Sequence, residues 1–293
     1  MPGGLTMFLQ LLGLALLLAG IGLSWMRWGR PHATRLDGAG RAMMATVIVT
    51  MVGGLAGAPF WWMDYPASFS WDLPPLASRM LASAGLAFGI AGIMVLQRPC
   101  QRRIRLYLTM LAVYLAPLVV AIVLFHLDRF DWRAPITYAF FAVAVGLTVA
   151  SVWHLARGTE RQLADTGGKP ATAPVGGFLV IVAIITGLWG VTLILMPAGP
   201  VPMIWTWPAD ALSSRLIGTM LLTLGVMCFS ARRDADLSAL ALAVLALYGF
   251  GVVLAGLMNA LAGKPLPLAY MAVLGSIAAV AMLLRLITAG PRA

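Results

Sequence analysis

The chain has 293 residues, of which 61% are apolar and only 10% charged, and its mean hydropathy is +0.93. A water-soluble domain carries about 25% charged and 45–50% apolar residues, so a soluble fold is excluded and an all-α, polytopic membrane protein is expected. The net charge of +10 and pI near 10.6 would suggest nucleic acid in a soluble chain; here the distribution of the charges accounts for them, and no nucleic-acid partner is expected.

Nine apolar segments are each long enough to cross about 30 Å of hydrocarbon. The first, near residues 5–26, has no basic stretch before it and a long apolar run. It reads as an uncleaved anchor with its N-terminus outside. Arg27, Arg30 and Arg35 follow it in a basic loop. The second segment, 42–60, is Gly-rich and leads into the aromatic loop Pro59-Phe-Trp-Trp-Met, which runs on to Trp71 and Asp72. The third, 76–97, carries Arg79 near its start and ends in a turn holding Arg98, Arg102, Arg103 and Arg105. The fourth, 106–127, contains Pro117, which should kink it. It leads to His126-Leu-Asp128-Arg-Phe-Asp131.

The fifth segment, 135–156, opens on Pro135-Ile-Thr-Tyr138. The polar stretch after it, rich in Gly, Thr, Pro and charge, predicts a flexible cytoplasmic linker over 158–173. The sixth segment, 175–197, precedes Ile204-Trp-Thr-Trp-Pro208, and the seventh, 211–230, carries Arg215 and ends at Arg232 and Arg233. The eighth and ninth are 237–260 and 267–288, the last opening on Pro267-Leu-Ala-Tyr270.

One frame occurs twice. W-D-L-P-P-L-A-S-R ends at Arg79 and W-P-A-D-A-L-S-S-R at Arg215, with Trp71 matching Trp207 and Gly89 matching Gly225. Together with the two Pro-x-x-Tyr starts, this predicts one N-terminal helix and its loop (1–40), a first four-helix unit (41–157), the linker (158–173) and a second unit (174–293). An even number of spans per unit makes the repeats parallel, related by an axis along the membrane normal.

Charge sets the orientation. With the N-terminus outside, fifteen of the 20 basic residues fall on the cytoplasmic side, and only Arg79, Arg129, Arg133, Arg215 and Lys264 on the other. The acidic residues divide evenly, so the whole net charge is cytoplasmic, as the positive-inside rule requires. A bacterial inner membrane is the expected location, from the Ala/Gly/Leu/Arg-rich composition and the lack of an organellar presequence.

Few residues offer chemistry. No ionisable side chain lies near the middle of any segment, which counts against ion-coupled transport. His126 and His154 belong to opposite ends and cannot share a haem iron. Cys100 and Cys228 belong to no metal-binding spacing and read as small apolar fillers. No metal or cofactor and no catalytic residue is assigned.

What is left lies on the outer side. Trp71, Asp72 and Arg79 in one loop, and Trp207, Asp210 and Arg215 in the other, form a candidate binding surface. An arginine near a helix start meets the positive end of the dipole, so an anionic partner is expected: Asp64, Asp72 or Asp210, or an external phosphate or carboxylate. Snorkelling anchors are the alternative. His126, Asp128 and Asp131 form a second cluster that could serve acid–base or metal chemistry, or be a charge-balanced loop.

The W-x(4)-L-x-S-R frame resembles bacterial multi-pass membrane proteins in which Trp-Pro-Leu-x-Pro-Leu-x-x-Arg stretches open a helix. The resemblance covers the two motif regions, is kept best at Pro74-Pro75-Leu76, and implies no activity. The expected function is a non-enzymatic subunit, assembly factor or scaffold that contacts membrane lipids, a protein partner or a second copy through its outer Trp/Arg surface. A permease or channel for a small solute is the alternative, and an enzyme acting at the outer face the third reading.

Overall fold

The structure, a computed structural model, describes residues 3–69, 71–165, 167–198, 211–265 and 267–289. Among them, nine helices are long and apolar enough to cross a membrane, and no β-strand forms. Helix α1 (Gly3–Ser24) continues through a π-helical stretch, Trp25–Gly29, into the short turn Arg30–Ala33. Then follow α2 (Gly38–Trp62), α3 (Pro75–Gln97), α4 (Gln101–Phe125), α5 (Pro135–Arg157), α6 (Ala173–Leu195), α7 (Ala211–Ala231), α8 (Ala235–Leu261) and α9 (Leu268–Ala289).

Local chemistry fixes several ends. Pro75 and Pro135 open α3 and α5, where the missing N–H is one the helix could not have paired. Asp37 and Asp234 cap α2 and α8 by accepting backbone N–H groups. Gly158, at φ 63°, ends α5 in the left-handed conformation that glycine adopts without strain.

Neighbours in sequence pack as hairpins: α2 on α3, α4 on α5, α6 on α7 and α8 on α9. Two further pairings, α3 with α8 and α4 with α7, lock the hairpins together. Helices α3, α7 and α8 lie deepest, while α5, α6 and α9 leave a flank bare. On α6 that flank exposes Ile181, Ile184 and Leu188. A belt of this kind would drive association in water and matches the hydrocarbon of a bilayer.

Small residues let two hairpins close. A methyl on Gly54 would strike the Gly85 carbonyl, and one on Gly190 would come within 2.6 Å of the Gly218 carbonyl. With no side chain to hold them apart, the backbones touch, and dispersion acts over their full length.

The basic loops meet at one end, and here the structure corrects the expectation of a loose linker. Gln162 donates to Asp37 (2.9 Å), and Arg102 pairs with Asp165 (3.0 Å) and with Asp234. The Ala171 N–H donates to the Arg233 carbonyl and that of Ala235 to the Lys169 carbonyl, forming a two-stranded contact at Pro170 and Asp234. The segment is a docked strap. Its polar composition signalled loop structure, but the same polar groups find their partners on α2, α4 and α8.

Candidate functional site

The opposite end of the bundle carries the aromatic connection between α2 and α3 and the connection between α4 and α5. The residue before each arginine of the repeated frame is a serine; in the first copy both side chains grip the end of α2. Ser78 Oγ donates to the Trp61 carbonyl (2.5 Å) and Arg79 Nε to the Trp62 carbonyl (3.4 Å). In the second copy Arg215 Nε donates to the Ile194 carbonyl (3.2 Å) near the end of α6. The last carbonyls of a helix lack intrahelical donors and carry the negative end of its dipole. Each guanidinium therefore sits at the start of one helix and satisfies the finish of its antiparallel neighbour. Among the described residues the partner of each arginine is a helix end rather than Asp64 or Asp72, and Asp210 lies outside them.

Arg215 does more than Arg79. Its Nη1 lies 2.5 Å from His126 Nε2, and its guanidinium stacks 4.6 Å over the Phe125 ring. His126, 7% exposed, follows directly after α4. Two groups that the sequence kept apart, the second arginine and the histidine of the other cluster, thus form one contact.

The rest of that cluster parts company with His126. Asp128 is exposed in the 3₁₀ turn Leu127–Arg129. Asp131 turns towards the first motif instead. It lines a cavity of about 490 Å³ together with Asp64, Phe69, Trp71, Asp72 and Arg129. Among the described residues no three His, Cys, Asp or Glu side chains stand close enough to hold a metal ion. Trp207 and Asp210 lie outside the described residues, so the second aromatic loop adds nothing to the geometry.

The cavity wall is built by packing. Trp71 meets Phe130 and Phe140 at ring-centroid distances of 5.2 Å each, and Phe69 at 6.1 Å. Offset and edge contacts of this sort hold an indole in one orientation. Its Nε1–H is buried and finds no acceptor among the described residues. Asp131 is fixed by accepting the Arg133 N–H at Oδ1 (2.9 Å), and its carbonyl accepts from Thr137 Oγ1 (2.6 Å). Asp64 holds a φ of 55°, uncommon outside glycine but tolerated by aspartate. Sequence reasoning placed Trp71, Asp72 and Asp131 as candidates, named Asp64 only as a possible partner of an arginine, and passed over Phe69. The available signal was an acidic residue closing an otherwise aromatic, apolar loop.

Cys100 and Cys228 are both buried. Cys228 lies in the last turn of α7, on its packed face. No family model, no curated protein and no solved structure matches this chain.

Proposed function

We propose that the chain is a multi-pass protein of a bacterial inner membrane that works without catalysis, as a subunit, assembly factor or scaffold. It binds lipid or a protein partner at its outward, aromatic end. The observation that carries this reading is where the polar chemistry lies. The cavity with its carboxylates is at one end, and no ionisable side chain stands near the middle of any span. Charge supports the orientation: the end that collects Arg102, Arg103, Arg232 and Arg233 faces the cytoplasm, and both termini follow from an odd number of spans.

In this reading α1 precedes two parallel four-helix units, α2–α5 and α6–α9. The packing supports the division. Each close pair in one unit has a counterpart in the other: α2–α3 with α6–α7, α4–α5 with α8–α9, and α3–α8 with α7–α4. Glycines from equivalent helices, Gly54 and Gly190, make the tight approach in each. The same correspondence supports a permease with its path along the pseudo-axis as the second reading.

The test is purification of the full chain from native membranes in mild detergent, followed by native mass spectrometry and proteoliposome flux assays. A retained lipid or protein without solute movement is the expected result. Solute flux with nothing retained overturns the proposal in favour of the permease.

A further inference from the structure

At the basic end of the bundle several arginines have no carboxylate to meet, and two of them stand together. The five carboxylates there are engaged elsewhere. Asp37 accepts from the Gly40 N–H and Gln162, Asp165 and Asp234 pair with Arg102, and Asp236 pairs with Arg103. Glu160, fully buried, lies 3.5 Å from Arg105. Arg157, the last residue of α5, and Arg161, in the 3₁₀ turn Thr159–Gln162 that follows, are both exposed. Among the described residues neither guanidinium has a carboxylate or a hydrogen-bond acceptor.

Both are nevertheless placed. The Arg157 guanidinium stacks 4.8 Å from the centre of the Trp153 ring, one turn back on α5. Stacking uses a face of the planar group and leaves the five N–H donors around its edge unclaimed. Arg161 folds back on the turn, its Nε and Cζ 2.9 and 3.1 Å from where a Cβ on Gly158 would stand. Gly158 follows Arg157 directly, and its φ of 63° makes the reversal that returns Arg161 to it. Two cations drawn to one turn repel each other, and the arrangement favours an oxyanion that both can meet.

An apolar stripe leads up to this turn. Val145, Val149, Val152 and Trp153 are all exposed, and their spacing sets them on one face of α5, a helix whose flank is bare. Tryptophan favours the boundary between hydrocarbon and headgroups. An anion that carries acyl chains suits both parts: its phosphate meets the arginines and a chain covers the valines. A headgroup bearing its own ammonium would find every nearby carboxylate engaged.

We infer that the basic end of α5 is a binding site for an anionic phospholipid of the phosphatidylglycerol type, in the leaflet at that end. The phosphate accepts from the guanidinium edges of Arg157 and Arg161, and an acyl chain lies along Val145, Val149 and Val152. The site is at the end of the bundle opposite the aromatic cavity and is independent of the contact surface proposed there.

The experiment uses the full chain, delipidated in detergent and titrated under native mass spectrometry with phosphatidylglycerol or phosphatidylethanolamine of the same acyl chains. An arginine facing an anionic lipid contributes about fivefold to binding, so wild type should retain the glycerol lipid at least about fivefold over the ethanolamine lipid. Arg157→Gln with Arg161→Gln should lower that retention by about tenfold or more. Arg35→Gln with Arg233→Gln removes the same charge from two other exposed arginines at this end and should change retention by less than about twofold. None of these four side chains donates a hydrogen bond to the described residues, so both variants should melt with wild type. Equal retention of the two lipids by wild type, or equal losses in the two double variants, overturns the assignment in favour of a diffuse basic surface. Displacement of the lipid by equimolar soluble glycerophosphoglycerol overturns it in favour of a site for the headgroup alone. A lipid or protein partner still held by the Arg157/Arg161 variant leaves the outer contact surface standing, so the two proposals fail separately.

Discussion

Arg215 and His126, 89 positions apart, meet at 2.5 Å between Nη1 and Nε2. An arginine can only donate, so in this contact Nε2 of the imidazole is the accepting atom. The same guanidinium reaches the Ile194 carbonyl through Nε. One side chain therefore ties the start of α7 to the finishes of both α4 and α6. Arg79, in the equivalent place, ties only α3 to α2.

This asymmetry predicts unequal losses. Arg215→Ala removes two hydrogen bonds of a charged donor and should lower stability by about 2–4 kcal/mol, against about 1 kcal/mol or less for Arg79→Ala with its one 3.4 Å contact. Arg215→Lys should recover little, because one ammonium on a flexible stem cannot serve two acceptors held in a fork. Thermal unfolding in micelles reads the difference, and matching losses for the two alanine variants would contradict it.

Gly53 and Gly54 give a second prediction from adjacent positions. A methyl at Gly53 meets nothing within 4 Å, whereas one at Gly54 strikes the Gly85 carbonyl. Gly54→Ala should cost about 1–3 kcal/mol through overpacking. Gly53→Ala should be neutral or stabilise by up to about 1 kcal/mol, since alanine is the better helix former. The two variants side by side in one melting assay separate close packing from helix propensity.

How far the sequence foretold these contacts depended on the kind of information each carries. Spans were legible because hydrophobicity is a local property, and Pro75 and Pro135 marked two starts outright. Helix α4 begins at Gln101, before its apolar run at 106, because Arg102, Arg103 and Arg105 stay helical while pairing with distant carboxylates. Charge patterning alone reads such residues as a turn. The Arg79 and Arg215 contacts were half visible: a cation at a helix start needs a negative partner, but the partner is a backbone dipole and leaves no mark in composition. The Arg215–His126 contact and the packing of Phe130 on Trp71 depend on which hairpins lie side by side, and no spacing along the chain encodes that.

At the basic end Arg103 makes a bidentate pair with Asp236, Nε to Oδ2 at 2.5 Å and Nη2 to Oδ1, and donates from Nη1 to the Met94 carbonyl at 2.8 Å. The pair joins the start of α4 to the start of α8. Asp236 is partly exposed, so water screens some of the attraction. A double-mutant cycle with Arg103→Gln and Asp236→Asn should give a coupling of about 1–2 kcal/mol, and Arg103→Lys should lose most of it with the fork. Additive single-variant effects would mean that the pair contributes nothing to holding these helices together.

The strap supplies the pH-dependent prediction. Asp37 accepts from the Gly40 N–H (2.8 Å) and from the Gln162 amide (2.9 Å). These bonds, the Gly40 one foremost, hold its carboxyl below the ordinary value. A carboxyl lowered on folding contributes stability that is complete above its unfolded pKa, about 3.9, and disappears as the pH falls through the folded value. The tie between α2 and the strap should thus be intact at neutral pH and release only below about pH 4. Asp37→Asn retains the acceptor for Gly40 and Gln162 while removing the proton-binding oxygen, so it should flatten the dependence. Hydrogen exchange over residues 158–165, compared between wild type and Asp37→Asn at each pH, measures this. Protection should fall in wild type alone as the pH drops below 4; a parallel fall in both proteins would mean that Asp37 is not the acid-sensitive group.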